Sequence, residues 1–192
     1  MSKIVVFEGF PGCGKTSLIN LLALKSNMAK VPEILDQGNL WKNARESEDQ
    51  NFFWFNDVAK MRLAKRSSNR ITLVDRGYAS TMAYNYAKSI FEDDKKYLDI
   101  LGKYYKDIVD KNLVANTYIY LKLPISKTFE RKGRTVKKGD PWRDPSYLKE
   151  IEMFYDMFFK EIEKDAQIFE FNSLLSLDNL YIDVKQALET IR

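Results

Sequence analysis

Histidine is absent from the 192-residue chain, and with it go the commonest proton shuttle and the commonest zinc ligand among side chains. A proton acceptor therefore has to be sought among carboxylates. The single cysteine, Cys13, excludes an internal disulfide and fits a reducing, cytoplasmic setting. Long apolar runs are also missing. The first, Ile4 to Phe7, is stopped by Glu8 and Gly9, too short for a signal-peptide core or a bilayer span, so no membrane partner is expected. Charge of one sign is scarce in excess: the formal net charge is +4, with acidic and basic residues mixed along the chain, which does not point to nucleic acid. No linker, repeat or low-complexity stretch divides residues 1–192, and the length suits one domain.

The apolar pattern predicts strands and helices in alternation. Strands are expected over Lys3–Phe7, Lys30–Leu35, Arg70–Asp75, Thr117–Leu123 and Gln167–Phe171. Helices are expected over Lys15–Leu24, Glu48–Arg66, two segments within Ser80–Leu113, Ile125–Lys132, Pro145–Lys164 and Leu177–Ile191. This order implies an α/β fold: a five-stranded parallel sheet with helices on both faces and ligands beyond the carboxyl ends of the strands.

Gly9-Phe10-Pro11-Gly12-Cys13-Gly14-Lys15-Thr16 matches the Walker A pattern completely, between a strand and a helix, and so predicts a P-loop NTPase fold. The backbone N–H groups of Gly12, Cys13, Gly14, Lys15, Thr16 and Ser17 are expected to cradle ATP phosphates at the helix N-terminus. Lys15 is expected on the β- and γ-phosphates and Thr16 on Mg²⁺. Cys13 is read as a small residue offering only its backbone. The guanine-reading Asn-Lys-x-Asp motif is missing, and the chain is short for an AAA-type or transporter module. Both absences favour a small-molecule kinase.

Asp75-Arg76 closes the third predicted strand and should emerge beside the P-loop, Asp75 toward Mg²⁺ and Arg76 toward an acceptor oxyanion. The competing readings are a helix cap for Asp75 and a surface ion pair for Arg76. The segment from Asp75-Arg76-Gly77-Tyr78 through Ser80 to Ala83-Tyr84-Asn85 resembles the Asp-Arg-Tyr-x-x-Ser-x-x-Ala-Tyr-Gln signature of thymidylate kinases, with Gly77 and Asn85 as departures. Val31-Pro32-Glu33 followed by Trp41 is similar to the Val-Pro-Glu-Pro-Val…Trp segment of deoxynucleoside kinases. That resemblance implies Glu33 as the base for a sugar hydroxyl; an exposed carboxylate at a strand end is the alternative.

By the same resemblance Glu8, Trp41, Phe55, Asn56, Arg76, Tyr84 and Asn85 are expected around the acceptor, a nucleoside or nucleoside monophosphate. Phe55-Asn56 stands where deoxynucleoside kinases carry a base-stacking Phe-Gln pair, although an aromatic stripe also suits a core, as does Tyr84, while Asn85 also suits solvent. Residues 131–145, basic and punctuated by Gly and Pro, read as a mobile lid. Its Arg131 and Arg134 resemble lid arginines that neutralise the transferring phosphoryl; a solvated basic loop is the competing reading. Asn172-Ser173 is expected to supply an adenine loop. Related kinases commonly pair through helices, and the apolar helical surface is compatible with a homodimer. Other expectations left standing are a kinase for another small metabolite or a modified base, and a regulatory protein that binds ATP without phosphorylating anything.

Overall fold

The computed structural model describes residues 3–35, 43, 47, 49–92, 94–111, 114–132 and 141–191. Five strands, β1 (Lys3–Glu8), β2 (Ala29–Val31), β3 (Ile71–Asp75), β4 (Thr117–Lys122) and β5 (Gln167–Asn172), form one sheet in the order β2-β3-β1-β4-β5. All four pairings are parallel, with β1 central: Val6 lies opposite Val74 of β3 and Tyr118 of β4. The helices are α1 (Lys15–Ser26), α2 (Gln50–Lys65), α3 (Tyr78–Phe91), α4 (Lys95–Lys111), α5 (Ile125–Lys132), α6 (Pro145–Ile162) and α7 (Leu177–Thr190), with a 3₁₀ turn at Pro141–Arg143.

The central strands β1, β3 and β4 are largely apolar and buried because both faces are covered, and successive side chains point to opposite faces. Val5, Phe7, Leu73, Ile119 and Leu121 pack with Leu18, Ile19 and Leu22 of α1 and Leu180, Val184 and Leu188 of α7. Their neighbours Ile4, Val6, Val74, Tyr118 and Tyr120 pack on the other face with α2, α3, α4 and α6. The polar ends are closed locally. Asp49 caps α2 by accepting from the Asn51 and Phe52 N–H groups, Asp144 caps α6 ahead of Pro145, and Asn27, at φ 50°, ends α1 in the left-handed region.

Three of the boundaries that differ from the sequence pattern have a local cause or bear on the site. The second strand stops at Val31 rather than Leu35 because Pro32 has no N–H for the ladder and ends the pairing with β3. The second helix starts at Gln50, since Asp49 is its cap, and the third starts at Tyr78 rather than Ser80. Among the described residues no helix is long and apolar enough to cross a membrane.

Candidate active site

Glycine is required where β1 turns into the P-loop. Gly9 has φ 136°, and a Cβ there would stand 2.4 Å from the carbonyl oxygen of Leu121. Gly12 and Gly14 also have positive φ, and Gly14 caps α1 with no side-chain bond, so the first N–H groups of the helix are left to face a ligand. Thr16 and Ser17 are exposed on that first turn. Lys15 lies across the loop, its Nζ donating to the carbonyls of Gly9 (2.8 Å) and Phe10 (3.0 Å) and to Cys13 Sγ (3.3 Å). Burial lowers its pKa, the nearby Arg76 adds to this, and Cys13, Glu33 and Asp75 work against it. The Cys13 side chain is buried in the core beneath, while its carbonyl accepts from Ser173 Oγ at 2.8 Å.

Beside the loop, Thr16 Oγ1 donates to Asp75 Oδ2 at 2.5 Å. Asp75 is buried, and its other oxygen, Oδ1, has no hydrogen-bond partner. It does not cap the next helix: that position belongs to Gly77, whose cap has no side-chain bond. A buried carboxylate oxygen without a partner beside a threonine hydroxyl fits Mg²⁺, which takes one or two protein oxygens and fills its other positions with water and phosphate. No cluster of three acidic, cysteine or histidine ligands occurs among the described residues, so the protein's share would be Thr16 and Asp75.

Arg76 turns the chain with φ 58°, a strained value for a non-glycine residue. Its N–H extends the ladder to the Phe7 carbonyl. Nη1 donates to the Gly9 carbonyl (3.0 Å) and Ser80 Oγ (2.9 Å), and Nε pairs with Glu33 Oε1 at 2.9 Å. Burial disfavours its charge, but Glu33, then Tyr155 and Glu8, more than offset this and raise its pKa. Glu33 itself is half exposed, at 51% of its side chain. Below the arginine, Glu8 is fully buried and accepts from the Gly77 N–H (2.8 Å), Tyr155 OH (3.2 Å) and the Ser80 hydroxyl. Burial raises its pKa; Ser80, Arg76, the Gly77 N–H and Lys15 oppose the shift. A Cβ on Gly77 would meet Val6 Cγ1 at 2.9 Å, which accounts for glycine where the signature has a larger residue.

Arg131 reaches the same edge from α5, donating to the Gly12 carbonyl (3.2 Å) and to the carbonyl (3.2 Å) and hydroxyl (3.4 Å) of Ser173. The expected adenine loop is thereby tied to the P-loop twice, through Arg131 and through Cys13. Arg134 and Trp41 lie outside the described residues, as do residues 133–140 of the expected lid.

The remaining expected acceptor residues divide. Phe55 is 61% exposed, its ring 4.5 Å from that of Trp54. Asn56 is buried: Nδ2 donates to the Glu33 carbonyl (3.0 Å) and Oδ1 accepts from the Leu35 N–H (3.1 Å), so the amide clamps the segment that carries Glu33. The Tyr84 ring lies 6.0 Å from that of Trp142, tilted by 35°, within the expected lid segment. Asn85 is fully buried, which overturns the solvent-exposed alternative, and its Nδ2 bonds Gln50 Oε1 and the Thr81 carbonyl, both at 2.8 Å.

Sequence reading missed Asp57 and Lys60, both buried on α2. Lys60 Nζ donates to the carbonyls of Asp75 (2.8 Å) and Arg76 (2.7 Å); Asp57 accepts from Thr81 (2.9 Å) and Tyr104 (2.8 Å). The available signal was an acid and a base three residues apart on the helix stripe that also carries Met61 and Ala64.

A family described as AAA domain matches residues 4–118, from β1 into β4. The chain's shortness had argued against an AAA-type module, and this match corrects that argument. No curated protein matches the sequence. The fold is similar to deoxyadenosine kinase from M. mycoides with bound dATP, at TM-score 0.78 and 14% identity over 97% of this chain and 100% of that one. The same enzyme with bound dCTP gives TM-score 0.70 at 14% identity over 98% and 100%. Thymidylate kinase from Candida albicans gives 0.74 at 16% identity over 98% and 92%. At these identities the likeness establishes the fold alone, a five-stranded parallel sheet covered by helices on both faces.

Proposed function

The chain belongs to the AAA domain family, and from that premise we propose that it is an ATP- and Mg²⁺-dependent phosphotransferase acting on a nucleoside or nucleoside monophosphate. The observation that carries this reading is the Glu33–Arg76 pair, set 2.9 Å apart at the same sheet edge as Thr16–Asp75 and the P-loop. One edge thus offers phosphate donors, oxygen ligands for a cation, and a carboxylate beside a guanidinium.

Lys15 and the open N–H groups of α1 bind the phosphates of ATP and orient the terminal one. Thr16 and Asp75 would hold Mg²⁺, which would supply neutralisation of phosphate charge when bound. Glu33 accepts the proton of the acceptor, and Arg76 orients Glu33 through Nε. Arg131 lies against the P-loop carbonyl of Gly12, ready to meet charge developing on the transferring group, with Arg134 proposed for the same task. Glu8 is unsuited to be the base because it is fully buried and bonded to Ser80, Tyr155 and Gly77. It is linked to Arg76 through the Ser80 hydroxyl, which bonds both. Since Arg76 already carries Glu33, a neutral hydroxyl acceptor fits without breaking the pair, whereas a phosphate acceptor competes for the guanidinium. A nucleoside is therefore the first choice.

The test is ADP release from ATP and Mg²⁺ across nucleosides and nucleoside monophosphates. Acceptor-dependent release is expected, with Lys15→Ala lowering turnover by about 100-fold or more while the fold is retained. Intact ATP binding with no release for any acceptor would reject the reading in favour of a regulatory ATP-binding protein or an unrelated acceptor.

A further inference from the structure

We propose that Lys60 is a positioning residue that sets the metal-side and acceptor-side groups relative to each other by holding the Asp75–Arg76 turn. Successive carbonyls of a strand point in opposite directions. Here the carbonyls of Asp75 and Arg76 both meet one ammonium, at 2.8 and 2.7 Å, and what lets them converge is the left-handed conformation of Arg76, φ 58°. That conformation is unfavourable for a side chain as large as arginine, and persists only where surrounding contacts over-determine it.

The side chains of this turn fork to separate tasks. Asp75 goes to Thr16, while Arg76 goes to Glu33, Gly9 and Ser80. Whatever fixes the two carbonyls therefore fixes the angle between the fork's arms. Lys60 is 1% exposed, and burying an ammonium is costly enough that methionine, of similar length, would serve better if packing were its only task. Its charge is balanced by Asp57 at 3.8 Å, and Asp57 is in turn oriented by Thr81 of α3 and Tyr104 of α4. The strut thus braces β3 against three helices.

The inference rests on the phosphotransferase reading for its effect on turnover, but its decisive readout needs no turnover. The full chain and Lys60→Met are compared by binding of a fluorescent ATP analogue, without Mg²⁺ and as Mg²⁺ is titrated, with circular dichroism as the control of folding. Lys60 bonds no P-loop residue directly, and Lys15 and the first N–H groups of α1 stay in place without it, so Mg²⁺-free affinity is expected to stay within about threefold, while the Mg²⁺ midpoint rises by about tenfold. Turnover with the preferred acceptor is expected to fall by about 10–100-fold, with KM for ATP unchanged. A merely structural lysine would move the Mg²⁺-free and Mg²⁺-dependent affinities together. A folded Lys60→Met variant with an unchanged Mg²⁺ midpoint would overturn the proposal. If that variant does not fold, Lys60→Leu, which keeps an apolar side chain and removes both donors, is judged by the same split. Should the wild type release no ADP with any acceptor, the phosphotransferase reading fails, and the Mg²⁺ midpoint still decides the role of Lys60.

Discussion

Glu8 lies within hydrogen-bond reach of Ser80 and Tyr155 and close to Arg76, yet burial outweighs these partners and raises its pKa. A carboxyl group with a higher pKa folded than unfolded stabilises the fold below the ordinary carboxylate range. That contribution is lost as pH rises through the folded value. Glu8→Gln removes this dependence while keeping an oxygen for the Gly77 N–H. The buried Asp57, also shifted upward by burial, is common to both proteins and cancels in the comparison. From the ordinary carboxylate range upward, the variant should gain stability relative to wild type as pH rises. Denaturant unfolding across that range checks it; parallel curves would mean that the native Glu8 titrates like an unfolded glutamate. Residues of this kind also mark how far a sequence can be read. That Lys15, Thr16 and Asp75 meet at one end of the sheet was legible, because the P-loop pattern and the end of the third predicted strand fix their places. Lys60 was not, because its partners are backbone carbonyls that any residue would supply and only the fold brings together.

Among the elements, the segment after β2 shows most clearly where pattern and structure part. The apolar residues Ile34 and Leu35 extend the strand pattern past Pro32, but without that N–H the ladder ends and the chain needs another anchor. Asn56 supplies it from α2, one amide bonding both the Glu33 carbonyl and the Leu35 N–H. Asn56 was expected at the acceptor but bonds backbone, since a polar residue amid aromatics can face a ligand or a neighbouring backbone equally well. Asn56→Ala leaves two backbone groups without their partner and is expected to cost about 1–3 kcal/mol of stability. Because the freed segment carries Glu33, acceptor-dependent kcat/KM should also fall by about tenfold or more, with KM for ATP little changed. Thermal unfolding and initial rates under saturating ATP measure the two effects. Loss of stability without loss of rate would detach Glu33 from the chemistry.

Across the whole molecule, the P-loop joins the two halves of the core. Val5 and Phe7 lead into it on the α1–α7 face, Ile4 and Val6 on the opposite face, and Arg131 and Ser173 tie it to the far side of the sheet. A ligand bound as proposed would touch groups from β1, α1, β3 and α5, so its binding energy should count toward the stability of the fold. A ligand that binds only the native state stabilises it by about 2.7 kcal/mol at a concentration 100 times its dissociation constant. For a chain of this size each kcal/mol corresponds to roughly 2–4 °C, which gives a rise in melting temperature of about 5–10 °C with saturating ATP and Mg²⁺. Thr16→Ala removes the hydroxyl bonded to Asp75 and should abolish the Mg²⁺-dependent part of that rise, leaving the smaller shift due to ATP alone. Lys15→Ala should reduce both parts. Were Thr16→Ala to respond to Mg²⁺ as the wild type does, the cation would have to be held elsewhere, and the buried Asp75 oxygen without a partner would lose its assignment.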